Sequence, residues 1–128
     1  MGNISNSSIL LLKKGLDAAW LKQKVISSNI ANAETPGYKS KIVEFDELFS
    51  NIIQTAKNPQ DLLKTLENAQ PDIVENNATT VKENGNNVVL DTENIEMARA
   101  QLQYQYMVRA LSSQISRIKY VINEGKGV

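Results

Sequence analysis

The chain has 128 residues, with 14 basic and 14 acidic side chains and neither cysteine nor histidine. That length fits one ordinary domain, and a net charge of zero supplies no field for nucleic acid or an anionic membrane. Without Cys or His there are no disulfides, thiolate zinc sites, thiol nucleophiles or histidine-based triads, so carboxylates, lysine, tyrosine and serine are the only groups left for chemistry.

Charge is distributed unevenly. Residues 1–40 carry five lysines against two acids, 41–90 carry four lysines against eight acids, and 91–128 return to a slight basic excess. The same boundaries divide the chain by hydropathy into an N-terminal helix with a turn motif (1–40), a small variable middle (41–90) and a C-terminal helix (91–128).

From Ile9 the apolar residues follow the 3-4 spacing of a coiled-coil seam: Ile9, Leu12, Leu16, Ala19, Gln23, Ile26 and Ile30. Ser7 or Ser8 is available as the N-cap. The spacing predicts a helix of roughly 25 residues, about 37 Å long. Thr35-Pro36-Gly37 ends it, because proline disfavours helical geometry in the residue before it and glycine permits the positive φ of a tight turn.

In the middle, Phe45, Leu48, Phe49, Ile52 and Ile53 mark a short amphipathic helix. Asn58-Pro59 opens another that carries Leu62, Leu63 and Leu66. Asn84-Gly85, between Thr79-Thr80-Val81 and Val88-Val89-Leu90, reads as a β-hairpin turn. A second long helix of about 30 residues starts near Asp91 or Thr92, with Glu93 and Glu96 suiting its first turn and Gly125 ending it. Its seam is Met97, Gln101, Tyr104, Val108, Leu111, Ile115, Ile118 and Ile122. The expected fold is therefore mainly α: two long terminal amphipathic helices packed as an antiparallel coiled-coil-like pair, with short helices and a β-hairpin between them.

Aligning the polar seam positions, Gln23 with Gln101, gives a register in which Leu16 meets Val108 and Ile9 meets Ile115. Pairing the two amides avoids leaving either unsatisfied, which would cost about 1–3 kcal/mol. Leu10, Trp20, Leu21 and Val25 on the first helix and Leu102, Tyr106, Tyr120 and Val121 on the second lie off the seam. A two-helix pair cannot cover them, so either the middle region or other subunits must.

Asp46-Glu47, Lys39-Ser40-Lys41 and Ser112-Ser113 are candidate groupings of catalytic residue types, but adjacent residues on a helix diverge and none has an orienting third group. The sequence therefore implies no enzyme, metal, cofactor, small-molecule substrate or nucleic acid partner. No secretory signal is read at the N-terminus, since Ile9–Leu12 is too short for an apolar h-region. Two classes remain: an assembly subunit whose helices need neighbours, and a helical secretion chaperone or adaptor that is stable alone.

Residues 29–38, Asn29-Ile-Ala31-Asn32-Ala-Glu-Thr35-Pro36-Gly37-Tyr38, read by chemistry alone as a helix stop and a fixed turn. As a string they resemble the N-terminal signature of the flagellar axial proteins, and residues 85–125 resemble the C-terminal part of the short rod subunits of that family. The resemblance implies a structural subunit of the proximal rod, or another short, FlgC-like rod subunit, that helps transmit torque from the MS ring. It implies assembly with copies of itself, a FlgC-like rod protein and a FliE-like junction protein. It also implies passage through the flagellar type III export apparatus without a cleaved signal, and location in the basal body where the rod spans the periplasm.

Overall fold

A computed structural model describes residues 2–78 and 80–126, with side chains described for 6–78 and 80–125. Six elements follow in order: α1 (Gly2–Ala31), β1 (Lys41–Glu44), α2 (Asp46–Thr55), α3 (Pro59–Asn68), β2 (Asp72–Glu75) and α4 (Leu90–Lys126). α1 is the organising element, with α4 along one side and α3 and β1 packed against it elsewhere.

Both long helices exceed their expected bounds. α1 runs past Ser7, which is buried on the helix instead of capping it. α4 continues through Gly125 to Lys126. A potential cap or terminator ends a helix only if nothing favours continuing it, and these helices are long enough to propagate through single weak positions.

The pair is antiparallel. Asn29 on α1 donates to Glu93 on α4 across 3.1 Å, and Gly15 faces Met107 so closely that a Cβ there would lie 2.7 Å from the thioether sulfur. On each helix the two contact residues are 14 apart, so the register is constant over about four turns.

These contacts lie within two residues of the expected axial register, but the two glutamines do not pair. Gln101 is exposed, Gln23 is half-buried and no hydrogen bond joins them among the described residues. The inward side of α4 carries Glu93, Met97, Ala100, Met107, Leu111, Gln114 and Ile118, all buried or half-buried, whereas Tyr104, Val108, Ile115 and Ile122 are exposed. On α1, Ala19 and Ile26 are buried, and Ile9, Leu12, Leu16 and Ile30 are half-buried. A 3-4 count weighted toward large apolar residues passes over Gly15, Ala18 and Ala100, yet these small residues are buried, and Gly15 leaves the space that the Met107 side chain fills.

The middle region is a helical hairpin held at its base by a two-stranded ribbon. β1 and β2 pair antiparallel, with Ile42 opposite Val74 and Val43 opposite Ile73. Two strands of four residues are not stable alone, and this ribbon rests on α1. α3 starts as its sequence predicts, with the Asn58 side chain accepting from the Asp61 amide and Pro59 in the first turn. Ile52, Leu66 and Ala69 form its core, closed by Leu10 and Leu11 of α1 together with Leu48, Phe49 and Leu62. Lys14 of α1 donates to the carbonyls of Glu67 and Ala69, placing a cation at the C-terminal end of α3.

Among the described residues no β-ladder flanks Asn84-Gly85, and Thr79 of the expected hairpin lies outside them. The step does make a tight turn, in which Gly85 donates to Lys82 at φ +85°, but residues 80–81 and 88–89 are not in strands. The Lys82 amide donates across the turn to the Asn86 carbonyl at 2.7 Å, but the side chains of Asn86 and Asn87 bond to the turn after α1 and to the segments around β1 and β2, and no ladder continues. The small sheet consequently forms from Lys41–Glu44 and Asp72–Glu75, two segments too short to show a period.

Candidate assembly site

The turn motif is a junction as well as a stop. Asn29 sits in the last full turn of α1, is 1% exposed and uses its whole amide. Its nitrogen donates to the Lys41 carbonyl (2.8 Å) and to Glu93 (3.1 Å). Its oxygen accepts from the Tyr38 hydroxyl and from the Lys41 amide, both at 2.9 Å. One side chain thus joins α1, the motif's own end, β1 and α4, and all four amide positions are satisfied.

Beyond Ala31, the last residue of α1, Asn32 donates to the Ser28 carbonyl and accepts from the Thr35 hydroxyl. Thr35 to Tyr38 forms a turn closed by the Tyr38 amide on the Thr35 carbonyl, with Pro36 at the first central position and Gly37 at φ +76° at the second. That is the type II arrangement, and it requires glycine.

A second turn docks on the first. Gly37 donates to the Asn84 carbonyl at 2.9 Å, and Gly85 is so near that a Cβ on it would meet the Gly37 Cα at 3.2 Å. Lys39 donates to the Gly85 carbonyl. Asn86 donates to the carbonyls of Asn32 (2.8 Å) and Thr35 (2.9 Å) and accepts from the Val88 amide. Asn87 accepts from the Ser40 amide and donates to the Asn76 carbonyl. Asn86, Asn87 and Glu93, the motif's partners, were not identified as site residues from sequence. The run Gly85-Asn86-Asn87 just before α4 was the available signal, since consecutive asparagines favour backbone-binding turns over strands.

Burial pushes the Glu93 carboxyl above its usual range; the hydrogen bond from Asn29 opposes the rise and the charge of Glu96 adds to it. Lys22 pairs with Asp46 at 3.3 Å, linking α1 to the first residue of α2.

The outer side of α4 is bare. Ile95, Leu102, Tyr106 and Tyr120 are spaced by multiples of seven or by four, so they share one stripe. Leu102 is 66% exposed and Tyr106 71%. Val108, Ile115 and Ile122 make a second exposed row with a seven-residue repeat beside the packed side. The middle region covers Leu10 and Leu11 but none of these. On α1, Trp20 is also exposed, with the Lys24 ammonium 4.5 Å from its ring centre. Large exposed apolar stripes on a chain this small mark interaction surfaces. Among the described residues no helix is long and apolar enough to cross a membrane.

Comparison with known proteins agrees with this layout. Residues 10–39 match the model of the family described as flagella basal body rod protein, a span that contains the turn motif. The chain is 35% identical to the flagellar basal body rod protein FlgB of Bacillus subtilis, over 97% of this chain and 99% of that protein. It is 30% identical to FlgB of Borreliella burgdorferi over 84% of this chain and 89% of the relative, and 26% identical to FlgB of Escherichia coli over 94% and 96%. With similarity spanning both terminal helices and the middle, the chain belongs to the FlgB family of flagellar basal body rod proteins, which are structural and non-catalytic.

Proposed function

We propose that this structural subunit of the basal body rod enters the rod through the outer faces of its two long helices, with the turn motif setting the angle at which they are presented. The observation that carries this reading is the bare apolar stripe on α4, from Ile95 through Leu102 and Tyr106 to Tyr120. At about 1.5–3 kcal/mol for each large side chain fully buried, covering that stripe on assembly is a sufficient driving force.

In this reading residues 1–40 and 91–128 form the rod core and 41–90 the variable part. The sequence seam is then divided between two roles. Met97, Leu111 and Ile118 pack within the chain, and Tyr104, Val108, Ile115 and Ile122 meet neighbouring subunits in a coiled-coil-like arrangement. The neighbours are copies of this chain, a FlgC-like rod protein and a FliE-like junction protein. The subunit reaches them through the flagellar type III export apparatus without a cleaved signal, takes its place where the rod spans the periplasm, and passes torque outward from the MS ring. The relatives are named as rod proteins, which disfavours the adaptor alternative.

The test is Leu102→Asp combined with Tyr106→Asp, expressed in the native host in place of the unsubstituted chain. Both positions are exposed, so circular dichroism and melting of the purified variant should be unchanged. Basal bodies should lack a complete rod and cells should be non-motile. Normal motility with the double substitution would refute the proposed interface.

A further inference from the structure

The chain contains a single Asn-Gly step, Asn84-Gly85, and it lies in the turn that docks on the family motif. We propose that Asn84 is a spontaneous deamidation site and that the docked double turn holds the reaction in check.

In this reaction the Gly85 nitrogen attacks the Asn84 side-chain carbonyl carbon. A C–N bond forms, the bond to the side-chain nitrogen breaks, and ammonia leaves carrying the proton lost by the Gly85 amide. The resulting five-membered imide adds one water and opens at either carbonyl, giving an aspartyl or an isoaspartyl product. No electron transfer or co-reactant beyond water is required. Glycine permits the approach because it has no Cβ to obstruct its nitrogen and its backbone can rotate freely.

In the native fold each part of that approach is opposed. The Gly85 N–H is engaged with the Lys82 carbonyl at 2.9 Å. The Asn84 side-chain oxygen accepts from the Asn86 amide at 3.1 Å. The peptide that must rotate is fixed on both sides, with its carbonyl accepting from Gly37 and the next carbonyl accepting from Lys39. Reaction therefore proceeds through molecules in which the two turns have separated, and its rate follows the open fraction.

The two products differ in consequence. An aspartyl side chain keeps an oxygen for the Asn86 amide, so the turns can close again. An isoaspartyl link inserts a methylene into the main chain directly before Gly85, at a place where even an added Cβ would lie 3.2 Å from the Gly37 Cα. It prevents reclosure and releases Asn86 from the carbonyls of Asn32 and Thr35.

The experiment is peptide mass mapping with isoaspartate detection on purified protein held at mildly alkaline pH, native and in urea. Asn84 should be the first asparagine to react in urea, and the native rate at this site should be lower by at least about tenfold. Asn87→Ala, which removes the ties to Ser40 and Asn76, should move the native rate toward the urea value. N84D should melt as the unsubstituted chain does, whereas the isolated isoaspartyl fraction should melt lower. Equal native and urea rates, or another asparagine reacting faster than Asn84 in urea, would overturn the proposal. Should Asn87→Ala fail to fold, the native-to-urea ratio of the unsubstituted chain decides alone.

Discussion

Asn29→Ala removes the one side chain that joins α1, Tyr38, β1 and α4. It leaves the Lys41 amide, the Lys41 carbonyl, the Tyr38 hydroxyl and the Glu93 carboxylate without their Asn29 partner. A buried polar group left unpaired costs about 1–3 kcal/mol. Tyr38 is half-buried and can turn to water, and water can enter the space vacated by the amide. The expected loss is therefore about 3 kcal/mol instead of the full sum, a large share of the roughly 5–15 kcal/mol available to a domain. Urea unfolding followed by circular dichroism measures it, and the thermal midpoint should fall by about 10 °C or more.

Asn29→Asp sharpens the test. It keeps an acceptor for Tyr38 and the Lys41 amide but points an oxygen at the Glu93 carboxylate and the Lys41 carbonyl, whichever way the group rotates. Its penalty should exceed that of alanine at neutral pH and shrink in acid, as one of the two facing carboxyls takes up a proton. A loss below about 1 kcal/mol for Asn29→Ala, where a lost network should cost several, would show that Asn29 does not hold the junction.

Other expectations rest on single contacts. The folded-state pKa of Glu93 is raised, so its ionisation costs stability; the wild-type chain should gain stability as pH falls through that pKa, with the gain complete below the ordinary carboxylate value. Glu93→Gln should accordingly be more stable than wild type at neutral pH, and pH-dependent melting should show the difference vanishing in acid. Gly15→Leu drives a side chain into Met107 and should destabilise by about 1–3 kcal/mol or more. Gly15→Ala should stay within about 1 kcal/mol of wild type, because the flexible thioether can move and alanine favours the helix. Asn58→Ala removes the α3 cap and should cost about 1 kcal/mol in urea titration.

Local chemistry was enough to read the cap at Asn58, the stop at Thr35-Pro36-Gly37, the two short middle helices and the existence of two long ones. Each depends on neighbours within a few residues, which a linear string displays directly. The motif asparagines were visible as a pattern, but their role was not, since Asn29 acquires meaning only from Glu93, which is 64 residues away. Asn84-Gly85 was correctly a turn and incorrectly a hairpin, because a turn is local and a ladder requires a free partner. Here one cross-turn bond, from the Lys82 amide to the Asn86 carbonyl, forms, and the Asn86 side chain is held by the turn after α1.

Helical spacing alone is enough to show two amphipathic helices with more apolar surface than one pair can bury, since it counts stripes whatever the fold. Tertiary structure decided which stripe packs inward. Gly15, Ala18 and Ala100 are on the buried side, with Met107 filling the space beside Gly15, whereas Leu102, Tyr106, Val108 and Ile115 lie outside. Hydropathy ranks residues by size and polarity, whereas packing selects shapes that interdigitate, and the large residues passed over stay exposed.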